Sequence, residues 1–597
     1  MERFSLVEKV NSYQTKPDPT SAPENVLVSG SQNILINERG KISTRLGYSL
    51  LGAANAAFTP VKSSFTWQTS SGTEIVLRGY DDELEIYTST LAAWTRLKDG
   101  LSSVTFQFTT WWSTTEGIDL LVFVDGTDDL YEWSGGIAVL ASATTNTITK
   151  TGTGSWAASR FLTAGTRKAV INGTEYTYTG GETTTTLTGV TPDPSAEAVS
   201  SNVFQAIRTN TNTPAADFLS SSIRVLNNQL WVFSNTSRLV YVSKDTDHTS
   251  YAFSSPRIPG EGALLKLDNV PKALAIQNKD MYISAGRDDW YKSEYEQLNV
   301  NNILTETLKA KKLKTTTGMA AQSQDLTLET GDFIAFIDHN NVLRLLGKIE
   351  NVEESAIRAF SNPIKPDFEA ASFANGHLIW DKNRIYISDP ANDKIYILEM
   401  REDADGTIRR FWQPPQILPM RRLGIIGGNL HGYSNASPET YKLFDGLNDN
   451  GNQFKAVAKF AYRSYGRRDL LKELDEWLTE GYVSANAEIT LRLDYDFEGS
   501  TQSLEIIIKG SSENILFQPA IGGALGTEPI GTGRIGAPSE NIASQNPKFR
   551  SINEFPAQDF FEIQPTYESD IIDAVWEILA SGGNVKLSEN IPASLKS

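Results

Sequence analysis

The 597-residue sequence contains no cysteine, four histidines and five methionines. The absence of cysteine excludes a disulfide framework, a Cys-ligated zinc or iron–sulfur site and thiol catalysis. It leaves the compartment open, because a cysteine-free chain suits a reducing cytosol and an extracellular particle equally. No apolar run reaches 18 residues, so no transmembrane helix is predicted. The opening stretch MERFSLVE scatters charges where a signal peptide would need an apolar core. Basic residues are also scarce: 54 Lys and Arg face 72 Asp and Glu, a formal net charge of -18. That balance disfavours a protein that grips nucleic acid through a broad phosphate-neutralising face, while a local basic patch is still allowed.

What is present is a globular composition, 40% hydrophobic and 10% aromatic, in a chain long enough for several units. Short apolar runs, alternating or continuous, are punctuated by Gly, Asn and Asp turns, which is the texture of a mostly β protein. Residues 1–24 are polar, carry Pro17, Pro19 and Pro23, and read as an extended N-terminal arm without a packed element. Residues 25–51 read as a hairpin entering the first globular unit. From about Pro60 to Gly446 one phrase recurs: an apolar strand, a turn, and a second strand carrying Tyr or Trp. Copies lie at 73–88, 119–134, 228–243, 272–286, 332–347, 377–399 and 422–446. A sheet with two apolar faces cannot cover both alone, and radial stacking covers each with a neighbour; the repeats therefore predict a β-propeller of about seven blades.

The span 60–446 is long for seven blades, and the surplus lies at 143–217, where the composition shifts to Thr, Ser, Gly and Ala. Asn172-Gly173 between β-forming runs predicts a type I′ hairpin, with a Thr-rich strand over Thr183 to Val190 closing the unit. This segment reads as a small β domain inserted between the second and third blades, dividing the propeller into 25–142 (with the hairpin) and 218–450. Residues 451–597 read as a C-terminal β domain of sandwich type, with a Gly-rich loop at 521–540. Apolar residues at 470, 471, 474, 477 and 478 predict a short helix over 468–479. An acidic N-cap and a following Gly582 predict another over 570–579.

Few residues suggest chemistry. His248, His339, His377 and His431 fall in different repeats and read as single polar residues at blade turns. The Asp-rich turns at 125–129, 403–406, 445–451 and 494–496 lack the spacing of an EF-hand and read as β-turn chemistry. No Walker loop or dinucleotide-binding glycine motif is present. Basic clusters stand at 309–314, read as a solvated loop between blades, and at Arg409-Arg410, Arg421-Arg422 and Arg467-Arg468. No catalytic, cofactor-binding or metal site is therefore assigned, and no enzymatic activity is expected.

Three stretches, GSQNILINERGKISTRLGY (30–48), FLTAGTRKAVINGTEYTYTGGETTTTLTGVTPDPS (161–195) and ELDEWLTEGYVSANAEITLRLDYDFEG (473–499), resemble a tailed-bacteriophage tail protein. They are most similar to the propeller-containing tail nozzle proteins, the tail tubular protein B-like family of short-tailed phages. The resemblance implies a structural protein of the virion tail, assembled in the host cytoplasm into a homo-oligomeric ring of six copies. It implies an adaptor protein above the ring, tail fibres or a plug around or below it, and transient passage of DNA without tight binding. An acidic wall repels phosphates, so the net charge of -18 fits a conduit better than a clamp. A carbohydrate-binding or carbohydrate-processing propeller acting on host glycans is the alternative, motivated by the Trp111-Trp112 pair.

Overall fold

The computed structural model describes the chain except 1–2, 8, 16–21, 24, 38, 55–56, 165–166, 211–213, 216–217, 301–302, 314–316, 320–323, 332, 348–356, 403–407, 466–470, 485–486, 498–499, 510–514, 518–547, 572–573, 575 and 588–597. The chain is a β-propeller with an inserted β unit and a C-terminal β-sandwich. Among the described residues, seven antiparallel sheets of four or five strands follow one another, with innermost strands Ser63–Gln68, Gln107–Ser113, Ser222–Leu226, Pro271–Gln277, Thr327–Glu329, Leu378–Asp381 and Met420–Ile426. We number these blades 1 to 7. Each innermost strand packs on the next, and that of blade 7 packs on that of blade 1, so the ring is closed.

The continuous apolar runs are explained by burial on both faces. Along Ile118–Val124 of blade 2, Leu121 and Phe123 point into the layer shared with blade 1, while Leu120, Val122 and Val124 point into the layer shared with blade 3. In blade 6 the same alternation sends Ile385 and Ile387 one way and Tyr386 the other. Trp67, Trp133, Trp231, Trp290 and Trp412 are all fully buried within these layers.

Closure of the ring uses the N-terminal region. The fourth strand of blade 7 is Tyr48–Leu50, paired antiparallel with Thr440–Leu443. The hairpin predicted over 25–51 is therefore divided, and it does not enter blade 1. Ile34–Ile36 and Ile42–Thr44 pair with each other, and the second extends the C-terminal sheet through Trp576–Leu587. The N-terminal arm is also packed, against expectation: Arg3–Val7 pairs with Trp576–Leu587, and Val10, Tyr13 and Ala22 are buried. Tyr13 donates to Asp367 at 2.8 Å, so a hydrogen bond fixes the arm against blade 6.

The inserted unit sits within blade 2, not between blades 2 and 3. Its six strands run from Ile137–Thr144 to Asn202–Gln205, and Arg208–Asn210 then returns as the fourth strand of blade 2. Bridges Thr177↔Thr191 and Gly180↔Thr188 join the two edges of the sheet. The curled sheet surrounds one core that includes Trp156, Phe161 and Tyr178. The Asn172-Gly173 turn has φ of 51° and 85°, as a type I′ turn requires.

The C-terminal unit stacks the sheet Ala456–Lys459, Glu562–Ser569, Glu488–Phe497, Ser500–Lys509 against a second sheet centred on Lys472–Val483 and Trp576–Leu587. Neither predicted helix forms among the described residues: Lys472–Val483 is a strand where the first is expected, and in place of the second a non-helical lead-in at Asp570, Ile571 and Ala574 precedes the strand Trp576–Leu587. A register shift between Leu474 and Glu476 places Leu474 and Trp477 in the core together. The extra residue turns a spacing of two into three and mimics a helical stripe. For 570–579 neither the acidic N-cap nor the stop signal holds, since Gly582 and Gly583 lie inside Trp576–Leu587. A Cβ on Gly583 would stand 2.4 Å from Leu474 Cδ1 and 3.2 Å from Trp477; the missing side chain makes room for that core. The 309–314 cluster also differs from its reading, because Lys309, Lys311 and Lys312 lie on the outer strand Ile303–Lys312 of blade 4.

Propeller and sandwich meet at Arg45. Its fully buried guanidinium donates to both carboxylate oxygens of Asp449 at 2.7 and 2.6 Å, to Asn33 Oδ1 and to the carbonyls of Leu46 and Ile417, and it lies 4.0 Å from the Phe454 ring centre. Two residues on, a Cβ at Gly47 would stand 1.8 Å from the Asn448 carbonyl oxygen. Arg45→Ala, which leaves Asp449 buried and unpaired, is expected to cost on the order of 3–5 kcal/mol. Gly47→Ala is expected to loosen the same junction. Thermal melting with limited proteolysis checks both, the expected cut being at the 445–455 connection.

Candidate functional site

The inner edge strand of every blade presents backbone groups without strand partners to the propeller axis, and the axis is where the polar side chains converge. The turn Gln324–Leu326, which leads into blade 5, lies across it. Gln324 substitutes for a missing strand: its amide accepts from Leu274 N at 2.8 Å and donates to Leu274 O at 2.6 Å, and Ser222 donates to it at 3.0 Å. Asp325 beside it receives Arg422 of blade 7 through both guanidinium nitrogens, at 2.8 and 2.5 Å, and Gln107 of blade 2 at 3.1 Å. Arg422 also donates to the Lys62 carbonyl at 2.7 Å. A polar brace thus ties blades 1, 2, 3, 4, 5 and 7 across the axis.

The brace divides the axial space in two. One chamber, about 310 Å³, opens among the segments that lead into the inner strands; the other, about 360 Å³, extends along those strands past Arg224, Glu329 and His377. Both are the size of a small-molecule pocket. Burial alone would raise the Asp325 carboxyl, but the Arg422 guanidinium and its hydrogen bonds outweigh that and hold it below the usual carboxylate range. Burial, reinforced by Arg422, pushes His377 down to about 4 against a weaker opposing pull from Asp325. His377 therefore stays neutral near pH 7.

The histidines do not meet. His248, from the loop between the last two strands of blade 3, packs against Trp111 of blade 2 with its Nε2 3.0 Å from Glu132. His431 is buried in blade 7 with Nδ1 3.0 Å from the Asn429 carbonyl, and His339 Nδ1 stands 3.8 Å from Asp288. Among the described residues, no group of three or more His, Asp or Glu could hold a metal ion. The Asp turns are built as turns: Asp125 accepts from the amides of Thr127 and Asp128, and Asp445 accepts from Ser49 and Lys442. The stretch 494–496, read as a turn, is instead part of the strand Glu488–Phe497, where Asp494 accepts from Ser503 and Arg492. The turn at 403–406, the pair Arg467-Arg468 and the Gly-rich 521–540 lie outside the described residues. Of the two adjacent tryptophans, Trp111 is core and Trp112 is 46% exposed.

Sequence reading singled out Arg421-Arg422 and missed Lys62, Lys272, Gln324 and Asp325. A signal was available: Pro60-Val61-Lys62, Pro271-Lys272 and Pro419-Met420-Arg421 each put a basic residue just after a proline where a repeat begins.

No protein-family model matches this chain, and no curated protein matches it in sequence. Solved structures similar to it include virginiamycin B lyase from Staphylococcus aureus, at TM-score 0.30 and 9% identity over 74% of this chain and 99% of that one. BBS1N in complex with ARL6DN aligns at TM-score 0.32 and 9% identity over 67% and 98%. The β-propeller domain of Cps50 (Swd1) from Myceliophteria thermophila aligns at 0.24 and 10% over 64% and 98%. Similarity of this extent says nothing about activity.

The low His377 value has a consequence for acid stability. Its folded pKa lies below the ordinary 6.5, so on acidification the unfolded chain takes the proton first. The neutral histidine's contribution is complete above pH 6.5 and is lost as the pH falls toward 4, up to about 3 kcal/mol. Melting curves between pH 7.5 and 4.5 are expected to fall more steeply for the wild type than for His377→Gln.

Proposed function

We propose that this chain is a structural protein of a bacteriophage tail, forming a ring-shaped nozzle or tail-tip conduit through which the genome leaves. The observation that carries the reading is the order and joining of the parts. A propeller interrupted in blade 2 is closed by an N-terminal strand and locked to a C-terminal sandwich by the Arg45 knot, within one of the stretches that resemble nozzle proteins. A scaffold that must carry load in an assembly gains from termini woven into two units. The propeller axis is no path for DNA, because the Gln324, Asp325 and Arg422 brace crosses it. The conduit in this reading lies between copies, with the net charge of -18 per copy keeping the wall from holding phosphates. No enzymatic role is part of the proposal. The carbohydrate alternative loses its paired aromatic platform, since only Trp112 of the two is exposed.

Negative-stain electron microscopy and native mass measurement of the purified full chain test this. Rings with a mass near six chains, and labelling of the chain at the distal end of tail particles, are the expected results. A monomer at all concentrations that is absent from tails would overturn the proposal.

A further inference from the structure

The chamber on the strand-start side of the brace is an electrostatic exception in an acidic protein. Its wall carries Lys62, Lys272, Arg421 and Arg422 against Asp125 and Asp325, four cations to two anions, and Asp325 is committed to Arg422. The other chamber balances Arg224 and Arg422 with Asp325 and Glu329 around a neutral His377.

Backbone irregularities aim the cations. Adjacent residues of a regular strand face opposite ways, yet Arg421 and Arg422 both line the channel. The register of blade 7 shifts between Met420 and Arg422, so Arg421 occupies a β-bulge. Blade 4 repeats the device: its register shifts between Pro271 and Ala273, and the bulged residue is Lys272. Bulges re-aim side chains in this way. Lys62 occupies the corresponding lead-in to blade 1, half-buried, and among the described residues no carboxylate pairs with it.

These cations are under-used. Arg421 donates to Asn375 Oδ1 at 2.8 Å, while its Nε and that of Arg422 are buried without acceptors among the described residues. Lys272 donates to the Met319 carbonyl at 2.7 Å, and its nearest acidic influence is Asp288. Among the described residues, Asp125 Oδ2 is buried without a donor in the same wall. Three convergent cations with spare donors, amide side chains at Asn235 and Asn375 and an orphaned carboxylate oxygen fit an anionic group that also carries a hydroxyl.

We infer that this chamber is a binding site for a small hydroxylated oxyanion, its phosphate or carboxylate held by Lys62, Lys272 and Arg421 and a hydroxyl donated to Asp125. The volume, about 310 Å³, accommodates one sugar-sized molecule. The site is independent of the tail assignment, and a ring-forming chain without it would leave that assignment standing.

Calorimetric titration of the full chain with inorganic phosphate, glucose 6-phosphate and glucuronate, with glucose and sodium chloride at matched ionic strength as controls, is the test. Saturable binding of at least one anion and none of glucose is expected, and the tightest of the three identifies the source of the anion. Arg421→Gln and Lys272→Gln should each weaken it about tenfold, the value of one charge-assisted hydrogen bond. Lys309→Gln with Lys311→Gln, on the outer strand of blade 4, should leave it unchanged. Should Arg421→Gln fail to fold, Lys62→Gln carries the test, since that side chain supports no described contact. Absence of saturable binding, or equal loss in the outer-strand control, overturns the inference.

Discussion

The buried pair of Arg45 and Asp449 is the constraint on which the two-unit architecture rests. Asp449 comes just after the last strand of blade 7, Arg45 just before the strand that completes that blade, and Phe454 just before the first strand of the sandwich. One guanidinium therefore fixes where the propeller ends, where it closes and where the next unit starts. A buried ion pair is a poor source of net stability and a strong source of specificity, because every alternative arrangement leaves a charge stranded. Here the alternative it opposes is an open ring. Blade 7 has three strands of its own, and its fourth comes from nearly four hundred residues away in sequence.

Glutamine handles the backbone groups that such a weave leaves unpaired. Gln413, fully buried, accepts from Ile36 N at 2.7 Å and donates to Ile36 O at 2.9 Å, which lets the N-terminal hairpin lie against blade 6 without a strand between them. Gln324 does the same for Leu274 at the axis, and Gln205 serves Leu162 and Lys168 in the inserted unit. An amide carries one donor group and one acceptor in the geometry of a peptide, so each glutamine stands in for one residue of an absent strand. Without this device the inner edges and hairpin flanks would each bury unsatisfied N–H and C=O groups, at a cost comparable to a lost hydrogen bond apiece.

The propeller was legible in the sequence because its signal is local. A strand buried on both faces is written as a continuous apolar run, as in Ile118–Val124, and a tight turn is written as Asn-Gly. What failed was non-local or irregular. Nothing in 1–24 states that Tyr13 will find Asp367, because the partner lies 354 residues away. The stripe at 470–478 was misread because a bulge changed the period, and a bulge depends on the strand opposite. The polar brace was invisible for the same reason: Asp325 and Arg422 become a pair only once seven sheets have closed around an axis.

The same geometry connects rigidity to the axial chambers. A propeller ring is held by apolar layers between adjacent blades, which resist separation but tolerate small rotations of one blade on the next. The Gln324–Asp325–Arg422 brace acts across the ring, coupling blades that share no layer. It needs ionised Asp325, and Arg422 secures that by outweighing the penalty of burial. Burial keeps His377 uncharged, and Arg422 adds to that effect, so the same arginine favours the ionised carboxyl and the neutral imidazole beside it. With Arg422 committed to the brace, the excess positive potential on its strand-start side falls to Lys62, Lys272 and Arg421. The brace that denies the axis to a polymer is thereby the floor of a chamber suited to a small anion.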